Sequence, residues 1–166
     1  MYKEKKLLDL LITNNCVHYQ NDNNILLSSG IKSNIYYDIK KAAGIPELFE
    51  FILEQLQKII PKNSSIVAVS TGGISYGAAL ANIYKTNFAY VRENKKTYGM
   101  KNAIEGYINY EKPIYIIDDV CTSGKSLINA MNTIKNIQGK TSDINLICIL
   151  DRSNSEIEVN SVIKIK

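Results

Sequence analysis

Apolar positions along this chain follow two periods. Leu7, Leu8, Leu10, Leu11 and Ile12 fall at helical spacing, so residues 1–14 are expected to form an amphipathic helix. Leu48, Phe49, Ile52, Leu53, Leu56, Ile59 and Ile60 repeat that spacing, and the pattern predicts a helix over Ala42–Ile60 with Pro46 in its first turn. Further helices are expected over Ser75–Tyr84 and from Leu127 to Ile134. Short β-branched runs stand between them: Ile66–Val69, Asn87–Val91, Ile114–Ile117 and Asp143–Leu150. These are apolar at successive positions, as in strands buried on both faces. Two shorter strands flank a Ser-Gly turn within Ile25–Asp38, and Ile157–Ile165 alternates as an edge strand would. Strands alternating with helices predict an α/β fold, and a central parallel five-stranded sheet flanked by helices is expected. Arg92–Lys101 has no hydrophobic period and is long for a compact domain, so a loop is expected there.

Composition narrows the class. The 166 residues suffice for one domain with a proper core, and hydrophobic residues make up 45% of them. No apolar run approaches the length of a membrane span, and the basic start followed by Asp9, Thr13 and Asn14 is no signal peptide. The net charge of +4 suits a small anion and makes no case for nucleic acid. Three scattered cysteines (Cys16, Cys121 and Cys148) indicate a reducing cytoplasm, with neither a disulfide framework nor a zinc site, and the single His18 excludes a multi-His metal centre.

The chemistry gathers in Ile114–Ser126. An apolar strand ends on Asp118 and Asp119; Val120, Cys121, Thr122, Ser123 and Gly124 form a loop of small residues; Lys125 and Ser126 lead into a helix. Amides at a helix start lack internal partners, and the helix dipole favours an anion there. The hydroxyls add donors, and Gly124 lets backbone approach a ligand. The loop suits a phosphate, while the adjacent acids suit ribose hydroxyls or Mg²⁺. The spacing is not that of a P-loop. A second strand–loop–helix unit carries Ser70, Thr71, Gly72 and Gly73. In a parallel sheet both loops lie at carboxyl strand ends, where such folds bind ligands. Cys121 sits inside the phosphate loop, a place that lowers a thiol's pKa.

Asp118-Asp119 followed by Thr122-Ser123-Gly124 resembles the phosphoribosyl-diphosphate signature of the type I phosphoribosyltransferases. The block from Leu27 through Ser29-Gly30, Lys32-Ser33 and Tyr36-Tyr37-Asp38 is similar to the hood of the orotate phosphoribosyltransferases within them. So are Tyr90-Val91-Arg92, Lys96, Tyr98-Gly99, Ile104-Glu105-Gly106 and the strand-end pair Asp151-Arg152. Glu93 stands where many relatives carry Lys, and Ser28 where some do. The resemblance implies an enzyme that transfers a phosphoribosyl group from phosphoribosyl diphosphate (PRPP) to orotate, giving orotidine 5′-phosphate in pyrimidine synthesis. It implies a small N-terminal hood built from about residues 1–40 and the C-terminal tail, and that Arg92, Lys96, Tyr98, Asp118 and Asp119 are catalytic. PRPP would be held by those residues together with Thr71, Gly72, Gly73 and the whole stretch Val120–Ser126. Orotate would be held by Lys32, Tyr36, Tyr37, Thr122 and Arg152. Mg²⁺ would be bound mainly through substrate, with Asp118 or Asp119 contributing through water. A homodimer is implied, with the loop of residues 92–101 reaching the partner's site. The alternatives are a transferase for another base, such as a purine, and a non-catalytic ligand-sensing regulator on the same fold.

Overall fold

The computed structural model describes residues 2–21, 25–27, 30, 32–92, 103–138, 143–153 and 158–165. Ser28, Glu93, Lys96 and Tyr98, and with them the expected loop beyond Arg92, lie outside the described residues.

The chain runs through α1 (Tyr2–Thr13), β1 (Val17–Tyr19), β2 (Ile25–Leu26), β3 (Lys32–Ser33), β4 (Ile35–Tyr37), α2 (Ile39–Ala42) and α3 (Pro46–Ile59). It continues with β5 (Ser65–Val69), α4 (Ile74–Tyr84), β6 (Phe88–Val91), β7 (Ile104–Gly106), β8 (Ile114–Cys121), α5 (Lys125–Gln138), β9 (Ile144–Asp151) and β10 (Asn160–Lys164). The helix expected over Ala42–Ile60 forms as α3 and begins at Pro46, with the short α2 ending at Ala42 before it. Pro46 forces the residue before it out of the helical region, and Ile45 is extended at φ −112°, ψ 108°.

The main sheet has six strands in the order β10-β9-β8-β5-β6-β7. All neighbours are parallel except β6 and β7, which pair antiparallel. The sixth strand arises because Ile104–Gly106 turns back along β6, Val91 facing Ile104. The C-terminal segment, expected in the hood, pairs with β9 in the main sheet, Ile163 opposite Leu150. Its Ile163 is buried among α1, α3 and the sheet, and that apolar contact draws the strand to this edge.

Alternation along the strands splits the core in two. Ile66, Ile117, Ile147 and Ile149 face one layer with Leu7 and Leu11 of α1, Leu48, Ile52 and Leu56 of α3, and Tyr76 and Leu80 of α4. Val67, Val69, Ile114, Ile116 and Leu146 face the other, against Leu127, Ala130 and Ile134 of α5. Helices on both faces leave the carboxyl rim of the sheet open for ligand. No helix among the described residues is long and apolar enough to cross a membrane.

Two small antiparallel pairs flank the sheet. β2 and β3 form the expected hairpin, Ile25 opposite Ser33. β1 lies within a stretch that reads as polar connection, yet pairs with β4, His18 opposite Tyr36.

Candidate active site

Asp118 and Asp119 do not end β8. The strand continues through them to Cys121 because β9 keeps pairing, Val120 with Leu150 and Cys121 with Asp151. The outward faces shift along the way: Ile114 and Ile116 point toward α5, Ile117 and Val120 toward the opposite layer, and Cys121 toward α5 again. The acids occupy this change of face. Asp118 is buried and its Oδ1 accepts from the Asp119 amide at 2.9 Å, while Asp119 Oδ1 accepts from the Val120 amide at 2.8 Å. Both carboxylates are thereby aimed by local backbone bonds.

The loop after β5 comes against them. A Cβ on Gly72 would overlap the Asp119 carboxylate, and one on Gly73 would overlap the Ile117 carbonyl oxygen of β8. Only glycine allows the two strand ends to approach so closely. The Gly73 amide bonds the Val69 carbonyl at 3.1 Å as α4 begins, and the Ser70–Thr71 peptide is cis. A cavity of about 470 Å³ opens here, lined by Ser70, Thr71, Gly72, Asp118, Asp119, Arg92 and Lys40 among others.

The second loop forms the adjoining cavity of about 590 Å³, walled by Val120, Cys121, Thr122, Ser123, Gly124, Lys125 and Ser126 together with Arg92, Asp118 and the exposed side of α5. Gly124 has φ 73°, which turns the chain into α5. The Ile128 amide makes the first helical bond, to the Gly124 carbonyl at 3.0 Å. The amides of Lys125, Ser126 and Leu127 precede it and face an anion-favouring helix start. The two cavities share Arg92, Asp118, Val120 and Ser126, so one elongated ligand with anionic groups at both ends fits across them. Arg92 also bonds Glu105 at 3.4 Å across the β6–β7 pair.

Beneath the phosphate loop lie Cys121, Cys148 and Asp151, with ligating atoms within 4.8 Å of one another. The carboxylate of Asp151 is already engaged. Oδ1 accepts from the Ser153 amide at 2.8 Å and hydroxyl at 2.6 Å, and Oδ2 pairs with Lys164 at 3.0 Å. Burial pushes its carboxyl up, but the bonds from Ser153 and Lys164 outweigh this and hold it below the ordinary range. The cluster is thus a satisfied polar plug. A hydrogen bond from Cys148 draws the Cys121 thiol down to about 7 against the opposing effect of burial. Cys148 moves upward in exchange.

The hood supplies a third wall. Arg152 follows β9, and its Nη1 donates to the Ile35 carbonyl at 3.0 Å and its Nη2 to Ser33 Oγ at 3.1 Å. Its guanidinium lies 5.3 Å from the Tyr37 ring. Tyr37, expected beside Tyr36 on a ligand, is 8% exposed and packs with Arg152, whereas Tyr36 is 37% exposed. Burial raises the Tyr36 phenol, Asp38 and, to a lesser degree, Asp119 add to that, and Lys40 opposes it, so these charges lie within electrostatic reach of its hydroxyl. Lys32 is exposed on β3 and lines neither cavity.

The carboxyl rim therefore gathers Thr71, Gly72, Arg92, Asp118, Asp119 and the whole of Val120–Ser126, with Tyr36 beside them. Gly73 makes the approach possible from below. Lys40 also belongs to this region, though nothing in the motifs marks it, and so do Ser33 and Tyr90, which stand in the quoted motifs with no role assigned to them. Lys40 is one of two adjacent lysines, and only the fold distinguishes which of them faces the cavity. The oxygen donors of Asp118 and Asp119 suit a hard divalent cation.

Comparison with known proteins agrees with this geometry. Residues 33–165 match the family model described as phosphoribosyl transferase domain. An orotate phosphoribosyltransferase of Pyrobaculum aerophilum is 34% identical over 134 residues, 80% of this chain and 68% of the relative. That of Pyrobaculum calidifontis is 33% identical over 154 residues, 85% of this chain and 78% of its own length. The crystal structure of orotate phosphoribosyltransferase from Aeropyrum pernix superposes with a TM-score of 0.77 at 21% identity, covering 95% of this chain and 93% of that one. The chain belongs to the phosphoribosyl transferase domain family and, within it, to the orotate phosphoribosyltransferases.

Proposed function

We propose that this protein transfers the 5-phosphoribosyl group of PRPP to orotate, giving orotidine 5′-phosphate and diphosphate. The observation that carries the reading is the seating of Gly72 against the Asp119 carboxylate, beside the Thr122–Ser126 loop. It creates one groove with a phosphate cradle, a pair of acids and a second anion loop in sequence.

In this reading the amides and hydroxyls of Thr122–Ser126 hold the 5′-phosphate. Asp118 and Asp119 orient the ribose hydroxyls and stabilise the positive charge that C1 gains as diphosphate leaves. Thr71, the Gly72 backbone and Arg92 receive the diphosphate. Asp118 or Asp119 would hold Mg²⁺ through water, and the metal would supply neutralisation of leaving-group charge. Orotate is already an anion with an acidic ring N–H, so little general-base help is needed. Tyr36 covers its flat face and Arg152 grips its carboxylate with a two-pronged hydrogen bond. Arg152 then exchanges its bonds to Ile35 and Ser33 for the ligand, so orotate entry and hood position are linked. Lys96 and Tyr98 act on the diphosphate from the partner subunit of a cytoplasmic homodimer. In that arrangement, mixing inactive Lys96→Ala and Asp119→Asn proteins restores activity through hybrid dimers.

The test is loss of orotate absorbance on adding PRPP and Mg²⁺ to the purified chain. Steady consumption with release of diphosphate is expected. Consumption of a purine in place of orotate transfers the reading to another base, and PRPP binding without turnover of any base makes the protein a sensor.

A further inference from the structure

The wall of the diphosphate-side cavity includes a cation that none of the motifs marks. Lys40 sits on α2, a short helix placed over the strand ends by three contacts. Ile39 and Ala42 are buried, and the fully buried Tyr76 donates its hydroxyl to the Ile39 carbonyl at 2.9 Å. Asp38 caps the helix by accepting from the Lys41 amide at 2.9 Å. With residues 39 and 42 inward, Lys40 and Lys41 point out. Lys41 is tied back, its Nζ bonding the Asn15 carbonyl at 2.9 Å. Lys40 makes no hydrogen bond or ion pair among the described residues, and it lines the same cavity as Thr71, Gly72 and Asp119.

We propose that Lys40 is a diphosphate-binding residue of this site, supplying from the same subunit a positive charge to the leaving group. The inference rests on the reading of this cavity as the diphosphate site. A flexible ammonium near a groove of hydroxyls and backbone amides answers a polyanion as a point charge. The bond from Tyr76 ties α2, and with it the backbone that carries Lys40, to α4, which begins directly after the Gly72–Gly73 loop. The same wall holds Arg92, whose guanidinium is shared with Glu105. Lys40 is the less encumbered of the two.

The test is calorimetric titration of the full chain with inorganic diphosphate in the presence of Mg²⁺, at two salt concentrations. Lys40→Gln is expected to weaken binding about tenfold and to flatten its salt dependence, as loss of one favourable charge at partly screened distance would. Lys40→Arg should keep most of the affinity. Lys41→Gln should leave affinity and salt dependence unchanged. Equal affinity for Lys40→Gln and the unaltered chain overturns the inference and leaves the diphosphate cavity standing. A weakened variant that keeps the full salt dependence also overturns it, since a structural disturbance alone behaves so. An unaltered chain that binds no diphosphate overturns both. The choice of base is judged separately by orotate consumption, so failure there leaves the Lys40 result intact.

Discussion

Two neighbouring glycines are expected to fail in opposite ways, and the contrast tests how the site is built. A methyl at Gly72 would overlap the carboxylate carbon and both oxygens of Asp119, which are the tip of a side chain. The carboxylate can swing away, giving up the 2.8 Å bond from the Val120 amide. Such a bond to a partly exposed carboxylate contributes about 1.5 kcal/mol, so Gly72→Ala should fold and melt within a few degrees of the unaltered protein. Its activity should not survive as well. Displacing an oriented group by about 1 Å costs on the order of 100-fold in rate, equivalent to about 2.7 kcal/mol of transition-state stabilisation. A methyl at Gly73 instead meets the Ile117 carbonyl and the Val69 amide nitrogen, both backbone atoms of central strands. Nothing there can rotate aside, and overpacking of this kind costs about 1–3 kcal/mol or more. Gly73→Ala should therefore lower the melting temperature by several degrees. The assays are orotate consumption at saturating substrates and thermal melting of each variant. In an Asp119→Ala background, where the obstructing carboxylate is gone, Gly72→Ala should cost no further rate. Full kcat/KM in Gly72→Ala, or an additive loss in the double variant, refutes the claim that this glycine acts by seating Asp119.

Other outcomes follow from the same contacts. Arg152→Lys retains charge but loses the two-pronged bond to Ile35 and Ser33 and the contact with Tyr37; its KM for orotate should rise at least about tenfold with little change in KM for PRPP, and equal effects on both substrates would count against a carboxylate role. The Asp151 carboxyl is lower in the folded chain than when unfolded, so its contribution is fully present above the unfolded-state pKa and is lost as pH falls through the folded value. Asp151→Asn should accordingly flatten the acid side of a melting-temperature profile, and a profile parallel to that of the unaltered protein would rule this out. Cys121, drawn down to about 7 by Cys148, is buried but lines the phosphate-side cavity, so its slow reaction with iodoacetamide should gain rate as pH rises through neutral. Bound PRPP should slow that reaction, as read by mass spectrometry of the modified peptide; an unchanged rate with ligand would separate the thiol from the site.

Much of this site was readable along the chain because its chemistry is carried by local units. A strand, a loop of small residues and a helix start bring their own backbone donors, so Asp118–Ser126 and Ser70–Gly73 announce themselves without a tertiary partner. Helical and β-branched runs likewise fix which elements are buried on one face or two, and so the α/β class. What those periods do not carry is adjacency. That β8 lies beside β5, which brings Gly72 to Asp119, depends on the order in which buried strands pair across the sheet. The pairing of β10 with β9 and of β1 with β4 was likewise decided by long-range packing, since short segments of mixed polarity gain order only from a neighbour already in place. The same holds for single side chains. Tyr36 and Tyr37 are indistinguishable by spacing, yet the guanidinium of Arg152 covers one and leaves the other at the rim. Lys40 and Lys41 are equal in the sequence, and a hydrogen bond to Asn15 from a distant helix end separates them. A local pattern encodes what a residue can do; the packing of segments far apart in the chain selects which residue is in place to do it.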